Sequence, residues 1–325
     1  MQYFDFSILL RIHEHDTGAL HRTVTFGDNM KPDLWMNGEF VPWDKACIHP
    51  LCHSLQRGAT LFESIDCNET HDGRPAVFRL REHMVRLENS ARIVGMPLPY
   101  DIDTLFKAVV ETVAHSGLKS CVIRPLAFYA DVVMEVYPGD IPVTVVIGLG
   151  EASIHAKPLS VKIGSFRKID STSMPVKAKV SGNYIGPMMV KAEAKRAGYD
   201  EAVILDSEGY VAEGSTSNIF IIEDGVLFTA PDDAILPGIT RDSIIEIAGR
   251  LGYEVRQEKF TPERMMNADE AILCSSGKGA APIVRVEDTV VGDGSPGRIT
   301  SEISTFYMDV IAGKVPEFDR WLTCV

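Results

Sequence analysis

Three stretches of this 325-residue chain combine reactive, acidic and turn-forming residues in ways that packing alone does not ask for. In Lys177-Ala-Lys179-Val-Ser-Gly-Asn-Tyr184, two lysines and a flexible Ser-Gly stand just before an apolar helical pattern. Lysines near a helix start oppose its dipole. The plain reading is a solvated loop; the sharper one is an amine held where it can form a Schiff base with a carbonyl. In Gly209-Tyr-Val-Ala-Glu213-Gly-Ser-Thr-Ser-Asn218-Ile-Phe, one acid is set among small and hydroxyl residues ahead of an apolar strand, so its carboxylate could be aimed at a ligand. In Leu236-Pro-Gly-Ile239-Thr240-Arg241-Asp242, Pro-Gly shapes a turn and Thr240 can begin the next helix. Backbone N–H groups there suit a phosphate, although a plain helix cap reads the same way.

A fourth candidate is Arg124, because Val122, Arg124, Leu126 and Phe128 share one face of a predicted strand. A cation among apolar neighbours wants an anion, either a ligand's or a structural ion-pair partner's. Two weaker patterns compete. Gly292-Asp-Gly294-Ser-Pro-Gly297 satisfies the dinucleotide-binding glycine pattern, but too little chain follows for the rest of such a fold, so a turn before the last helix is expected. Cys47, His49, Cys52 and His53 have irregular spacing with no matching pair downstream, so no metal site is expected.

The elements that must position these residues follow from periodicity. A strand, tight turn and strand span Trp35 to Val41; Met84, Leu87, Ala91 and Val94 form an apolar stripe on a helix from Phe78 to Val94; a helix runs from Ile102 to His115; and strands run from Cys121 to Ala130 and Ile141 to Gly150. The later half reads as a strand (Ser160 to Phe166), a helix (Tyr184 to Ala197), strands, a helix from Thr240 to Leu251 and a last helix near Ile299 to Ile311. We read residues 1–33 as an N-terminal extension, 34–148 as a small domain, 149–158 as a linker rich in small and turn-forming residues, and 159–325 as a larger α+β domain with a mixed sheet. The chain carries 32 basic against 45 acidic residues, a net charge of −13, so nucleic acid and anionic membranes are not expected partners. Six scattered cysteines and the lack of a membrane-length apolar run point to free thiols in the cytoplasm.

Taken in order, the motifs resemble the fold-type-IV (class IV) pyridoxal-phosphate aminotransferases, the branched-chain amino acid aminotransferases most closely. The match runs from Trp35-Met-Asn-Gly-Glu39 through Phe78-Arg-Leu-Arg-Glu-His-Met-Val-Arg86-Leu, Ile123-Arg124-Pro125, Lys179 to Tyr184, Gly198-Tyr-Asp-Glu-Ala202, Gly209 to Phe220 and Leu236 to Asp242. The resemblance implies a two-domain α+β fold of the D-amino acid aminotransferase type, with pyridoxal 5′-phosphate between the domains. It selects Lys179 over Lys177 as the lysine that binds the cofactor and moves the substrate proton. It implies Glu213 at the pyridine nitrogen and Tyr184 at the ring's phenolic oxygen. Around the phosphate it puts Arg86, the backbone of Ile239 and Thr240, and Ser276. Arg124 and Gly277 fall to the substrate, with Arg124 on a carboxylate of glutamate or 2-oxoglutarate. The implied reaction passes an amino group between leucine, isoleucine or valine and 2-oxoglutarate in at least a homodimer.

The departures concern the substrate pocket. Val122-Ile-Arg124 lacks the family's tyrosine, Phe62-Glu-Ser64-Ile-Asp66 replaces Phe-Glu-Gly-Ile-Arg, Gln56-Arg-Gly58 replaces His-Tyr-Gly, and Ser275-Ser-Gly-Lys278 adds a cation near the expected phosphate. They leave open a transaminase for a D-amino acid or an (R)-amine, and 4-amino-4-deoxychorismate lyase shares the fold.

Overall fold

The computed structural model describes residues 31–152 and 157–325; the N-terminal extension up to residue 30, and linker residues 153–156, lie outside the described residues. Two sheets organise what is described. The first has eight strands in the order Leu322–Cys324, Pro75–Phe78, Ile65–Glu69, Cys121–Tyr129, Val143–Glu151, Leu34–Met36 and Glu39–Val41, with Leu61–Phe62 paired beside Cys121–Tyr129. All its pairings are antiparallel. Asn37 and Gly38 close the first hairpin with φ of 49° and 100°, left-handed backbone that favours this Asn-Gly pair. The strand Val143–Glu151 runs past Gly148 into the segment the sequence reads as linker.

On this sheet lie α1 (His53–Arg57), α2 (Leu80–Val94) and α3 (Ile102–Ser116). The α2 stripe buries Met84, Leu87 and Ala91 as expected, but Val94, at the last turn, is exposed. Leu80, Met84, Leu87 and Ala91 of α2 and Leu105, Ala108, Val109 and Val113 of α3 form one core with Cys121, Ile123 and Ala127 of the sheet. That leaves the alternate residues Val122, Arg124 and Leu126 on the other face, as the strand period requires.

The second sheet, of nine strands, is mixed: Val211–Gly214, Glu201–Leu205, Leu159–Ile163, Gly279–Val286, Glu270–Ser275, Asn218–Glu223, Val226–Thr229 and Val255–Gln257, with Thr289–Val290 on the edge of Gly279–Val286. The expected strand to Phe166 leaves the sheet after Ile163. The expected helix at Tyr184 is a 3-10 turn, Ser181–Tyr184, leading into α4 (Ile185–Arg196). Next come α5 (Ile239–Arg250), α6 (Pro262–Met266) and α7 (Arg298–Ile311). α5 begins one residue before Thr240, with Gly238 as its cap. Ile244, Ile247, Ile303 and Tyr307 of α5 and α7 pack with Phe220, Ile272 and, from the first sheet, Phe78.

In the glycine-rich turn before α7 a carboxylate of the protein itself stands where a ligand's anion would. Both oxygens of Glu270 take the first amides of that helix, Ile299 N at 3.0 Å and Thr300 N at 2.7 Å. Gly297 is needed because a Cβ there would lie 2.0 Å from the Glu270 carboxyl carbon. The motif is therefore an internally capped helix start.

Candidate active site

A cavity of about 790 Å³ opens where the two sheets meet, and Arg86, Arg124, Lys179, Tyr184, Glu213, Ile239, Thr240, Ser276 and Gly277 all line it. The volume is that of an ordinary small-molecule site. Every predicted site residue is thus in one place, although they span the chain from α2 to the Ser275–Gly279 turn.

A turn separates the two lysines: Ala178 N donates to the Pro175 carbonyl at 3.1 Å, so Lys177 and Lys179 do not share a face as residues two apart on a strand would. Val176, Ala178 and Val180 are buried, Lys177 points to solvent, and Lys179 points into the cavity. Its backbone is clamped: Lys179 N donates to Ser90 Oγ of α2 at 3.0 Å, and its carbonyl accepts from Phe62 N at 3.2 Å. The following Ser181-Gly182 rests on the end of α1, where Ser181 Oγ and Gly182 N both donate to the Gly58 carbonyl. Lys179 Nζ donates to Tyr184 Oη at 3.0 Å. Burial, then the neighbouring Arg86 and Arg124 cations, push the Lys179 ammonium down to about 8. Desolvation and like charge both favour the neutral amine.

Arg86 is held by Glu63, a carboxylate with no exposed surface. Arg86 Nε reaches Oε1 at 2.8 Å and Nη2 reaches Oε2 at 2.6 Å, a two-pronged pair, while Nη1 donates to the Pro237 carbonyl at 3.0 Å. Burial opposes ionisation of Glu63, yet the guanidinium and His83 outweigh it and hold the carboxyl well below the usual range. His83 Nδ1 lies 2.8 Å from Oε2, and its own burial keeps the ring below the ordinary histidine range. Sequence reading quoted Glu63 within the Phe62 to Asp66 motif but gave it no role, and its place in the short break between strands Leu61–Phe62 and Ile65–Glu69 carries no local sign of one.

Glu213 sits at a register shift against Glu201–Leu205, a bulge that re-aims side chains. Its Oε2 accepts from Leu236 N at 3.3 Å, and Oε1 pairs with Lys168 Nζ. Lys168 was also missed: within Ser-Phe-Arg-Lys it is indistinguishable from a solvated loop residue. Tyr184 packs edge-on to Phe62 at 4.9 Å, and burial, then Glu213, raises its phenol above the ordinary range.

At one end the first turn of α5 presents Ile239 and Thr240 with no side-chain cap, so its free N–H groups suit an anion. A Cβ on Gly238 would come within 1.9 Å of Asn218 Oδ1. Arg124 makes no ion pair among the described residues; its guanidinium lies 5.5 Å from the Phe62 ring centroid. Of the departing positions, Ser64 lines the cavity while Val122 and Asp66 do not.

A two-sheet α+β chain with a half-buried lysine, an ion-paired acid and an uncapped helix N-terminus around one cavity has the parts that a carbonyl compound bearing an anionic group requires. Amino-transferase class IV is the family whose model matches, over residues 60–286, and the chain belongs to the class IV aminotransferases. It is 37% identical over 298 residues to a branched-chain-amino-acid aminotransferase of Salmonella typhimurium, covering 89% of this chain and 96% of the relative. The branched-chain aminotransferase of Thermoproteus uzoniensis, solved with norvaline, superposes with a TM-score of 0.87 at 35% identity, over 91% of this chain and 99% of that one. That of Thermobaculum terrenum, solved in its PLP-form, gives 0.86 at 29% identity over 90% and 98%. The fold is that of the fold-type-IV aminotransferases, and the chain is an aminotransferase. Among the described residues no helix is long and apolar enough to cross a membrane.

Proposed function

We propose that this chain transfers the amino group between a branched-chain L-amino acid and 2-oxoglutarate, with pyridoxal 5′-phosphate as cofactor. The observation that carries this is the convergence of Lys179, Glu213, Arg86 and the α5 N-terminus on one cavity, in a chain whose relatives are named for that activity. When bound, the cofactor supplies a carbonyl for amines and a ring that draws electrons from the substrate's Cα. The donor set fits it: an amine near neutrality, an acid fixed by Lys168 and an uncapped helix start. Lys179 binds it, and its amine moves the proton on substrate Cα. Glu213 holds a proton on the ring nitrogen, and Tyr184 donates to the phenolic oxygen. Arg86, the Ile239 and Thr240 amides and Ser276 take the phosphate, and Gly277 borders the substrate. Arg124, free of structural acids, takes a carboxylate of the dicarboxylic partner, while Phe62 beside it gives branched side chains an apolar wall. The reading includes a linker at 149–158 joining two domains, and assembly as at least a homodimer.

The test is the absorption spectrum of cofactor-loaded protein while L-leucine, L-glutamate, D-alanine and a simple chiral amine are added in turn. L-leucine and L-glutamate are expected to abolish the visible band, which Lys179→Ala lacks. A response only to D-alanine or the amine would replace the substrate assignment, and pyruvate release without a keto acid acceptor would make the enzyme a lyase.

A further inference from the structure

The phosphate end of the cavity is poor in net charge. Arg86 is already neutralised by Glu63, Arg79 by Glu82 and Asp242, and Arg241 by Asp232. The α5 N-terminus offers only about half a positive charge, against roughly −1.5 to −2 on a phosphomonoester near neutral pH.

A surplus cation stands on the wall formed by the Ser275–Gly279 turn. Glu201, only 1% exposed, accepts from Ser215 Oγ at 2.6 Å. Its Oε2 meets Lys191 Nζ at 2.6 Å and, farther off, Lys278 Nζ at 3.3 Å. Lys191 also donates to the Asp200 carbonyl at 2.7 Å and does not line the cavity. Lys278 does, two residues after Ser276 in a turn closed by Lys278 N donating to the Ser275 carbonyl at 3.0 Å. Two ammonium groups share one carboxylate, and the looser of them faces the ligand space.

We propose that Lys278 is a further binding residue for the cofactor's phosphomonoester, carried on Glu201 and supplying the charge that the neutral Arg86–Glu63 pair does not. The proposal rests on the reading that this cavity takes pyridoxal phosphate. Its test is titration of cofactor-free wild type, Lys278→Met and Lys278→Arg with pyridoxal phosphate and with pyridoxal, followed by the visible band and by tryptophan fluorescence. Lys278→Met is expected to raise the Kd for pyridoxal phosphate about tenfold, the scale of one charge-assisted hydrogen bond, while leaving that for pyridoxal unchanged. Lys278→Arg is expected to restore most of the loss, and inorganic phosphate to compete less well in Lys278→Met. Equal weakening of both ligands would make Lys278 a structural residue of the turn, and no change in either would remove it from the site; both outcomes overturn the proposal alone. Wild-type protein that binds neither compound overturns the underlying functional reading and this proposal with it.

Discussion

Two helix starts in this molecule share a Pro-Gly step, Pro296-Gly297 and Pro237-Gly238, and differ in structure. Gly292 to Gly297 before α7 matches a nucleotide-binding glycine pattern, yet Glu270 fills the place of an anion on the Ile299 and Thr300 amides. Leu236-Pro-Gly before α5 matches no such pattern, yet its first turn is uncapped and faces the cavity. Whether a helix N-terminus binds a ligand therefore depends on whether the protein has already supplied the anion.

The comparison breaks most severely at the Arg86–Glu63 pair, since Arg86 also holds the Pro237 carbonyl ahead of α5. Glu63→Gln leaves a buried guanidinium without its countercharge and should cost about 3–5 kcal/mol of stability, read by denaturant unfolding, with weaker pyridoxal phosphate binding. Unchanged stability would show that the pair does not organise the α5 start.

A second effect lies where α5 and α7 pack. Asp66 is buried, neither carboxyl oxygen has a hydrogen-bond partner, and burial pushes its carboxyl up to about 7. Tyr307 of α7, whose phenol burial raises above the ordinary range, feels both Asp66 and the Thr240 side chain. A raised carboxyl means the folded protein must charge Asp66 at higher pH than the unfolded chain does. Stability present below about pH 4 is lost as pH rises toward 7, by up to roughly 4 kcal/mol. Asp66→Asn should flatten that slope in thermal melts between pH 4 and 8. A slope unchanged in the variant would assign it to other groups.

The smallest effect sharpens the contrast. Glu270→Ala should cost about 1–2 kcal/mol through loss of the α7 cap and leave cofactor affinity intact. Ile239→Pro, which removes an amide at the first helical position where proline is tolerated, should do the reverse, weakening pyridoxal phosphate binding severalfold with little change in melting temperature. If Glu270→Ala altered cofactor affinity and Ile239→Pro did not, the roles assigned to the two helix starts would be exchanged.

Much of the site was legible because local patterns carry it. The strand period put Arg124 opposite Ile123 and the core, whereas the family motif chose Lys179 over Lys177, since residues two apart share a strand face and the turn at Pro175 to Ala178 is what separates them. The stop of α2 and the Asn37-Gly38 turn also follow from local backbone preferences. The last strand, Leu322–Cys324, was missed: it is short, and its partner Pro75–Phe78 lies far back in the chain.

By itself, the sequence determined the chemical inventory: a lysine before Gly-Asn-Tyr, an acid among small residues, a Pro-Gly turn before a helix, and the order that marks the family. Only the tertiary structure decided which charges compensate which. Glu63 with Arg86, Lys168 with Glu213 and Glu201 with Lys278 join residues distant in the chain. Coulombic pairing and desolvation depend on distance through space and on burial, and neither is a function of separation along the chain.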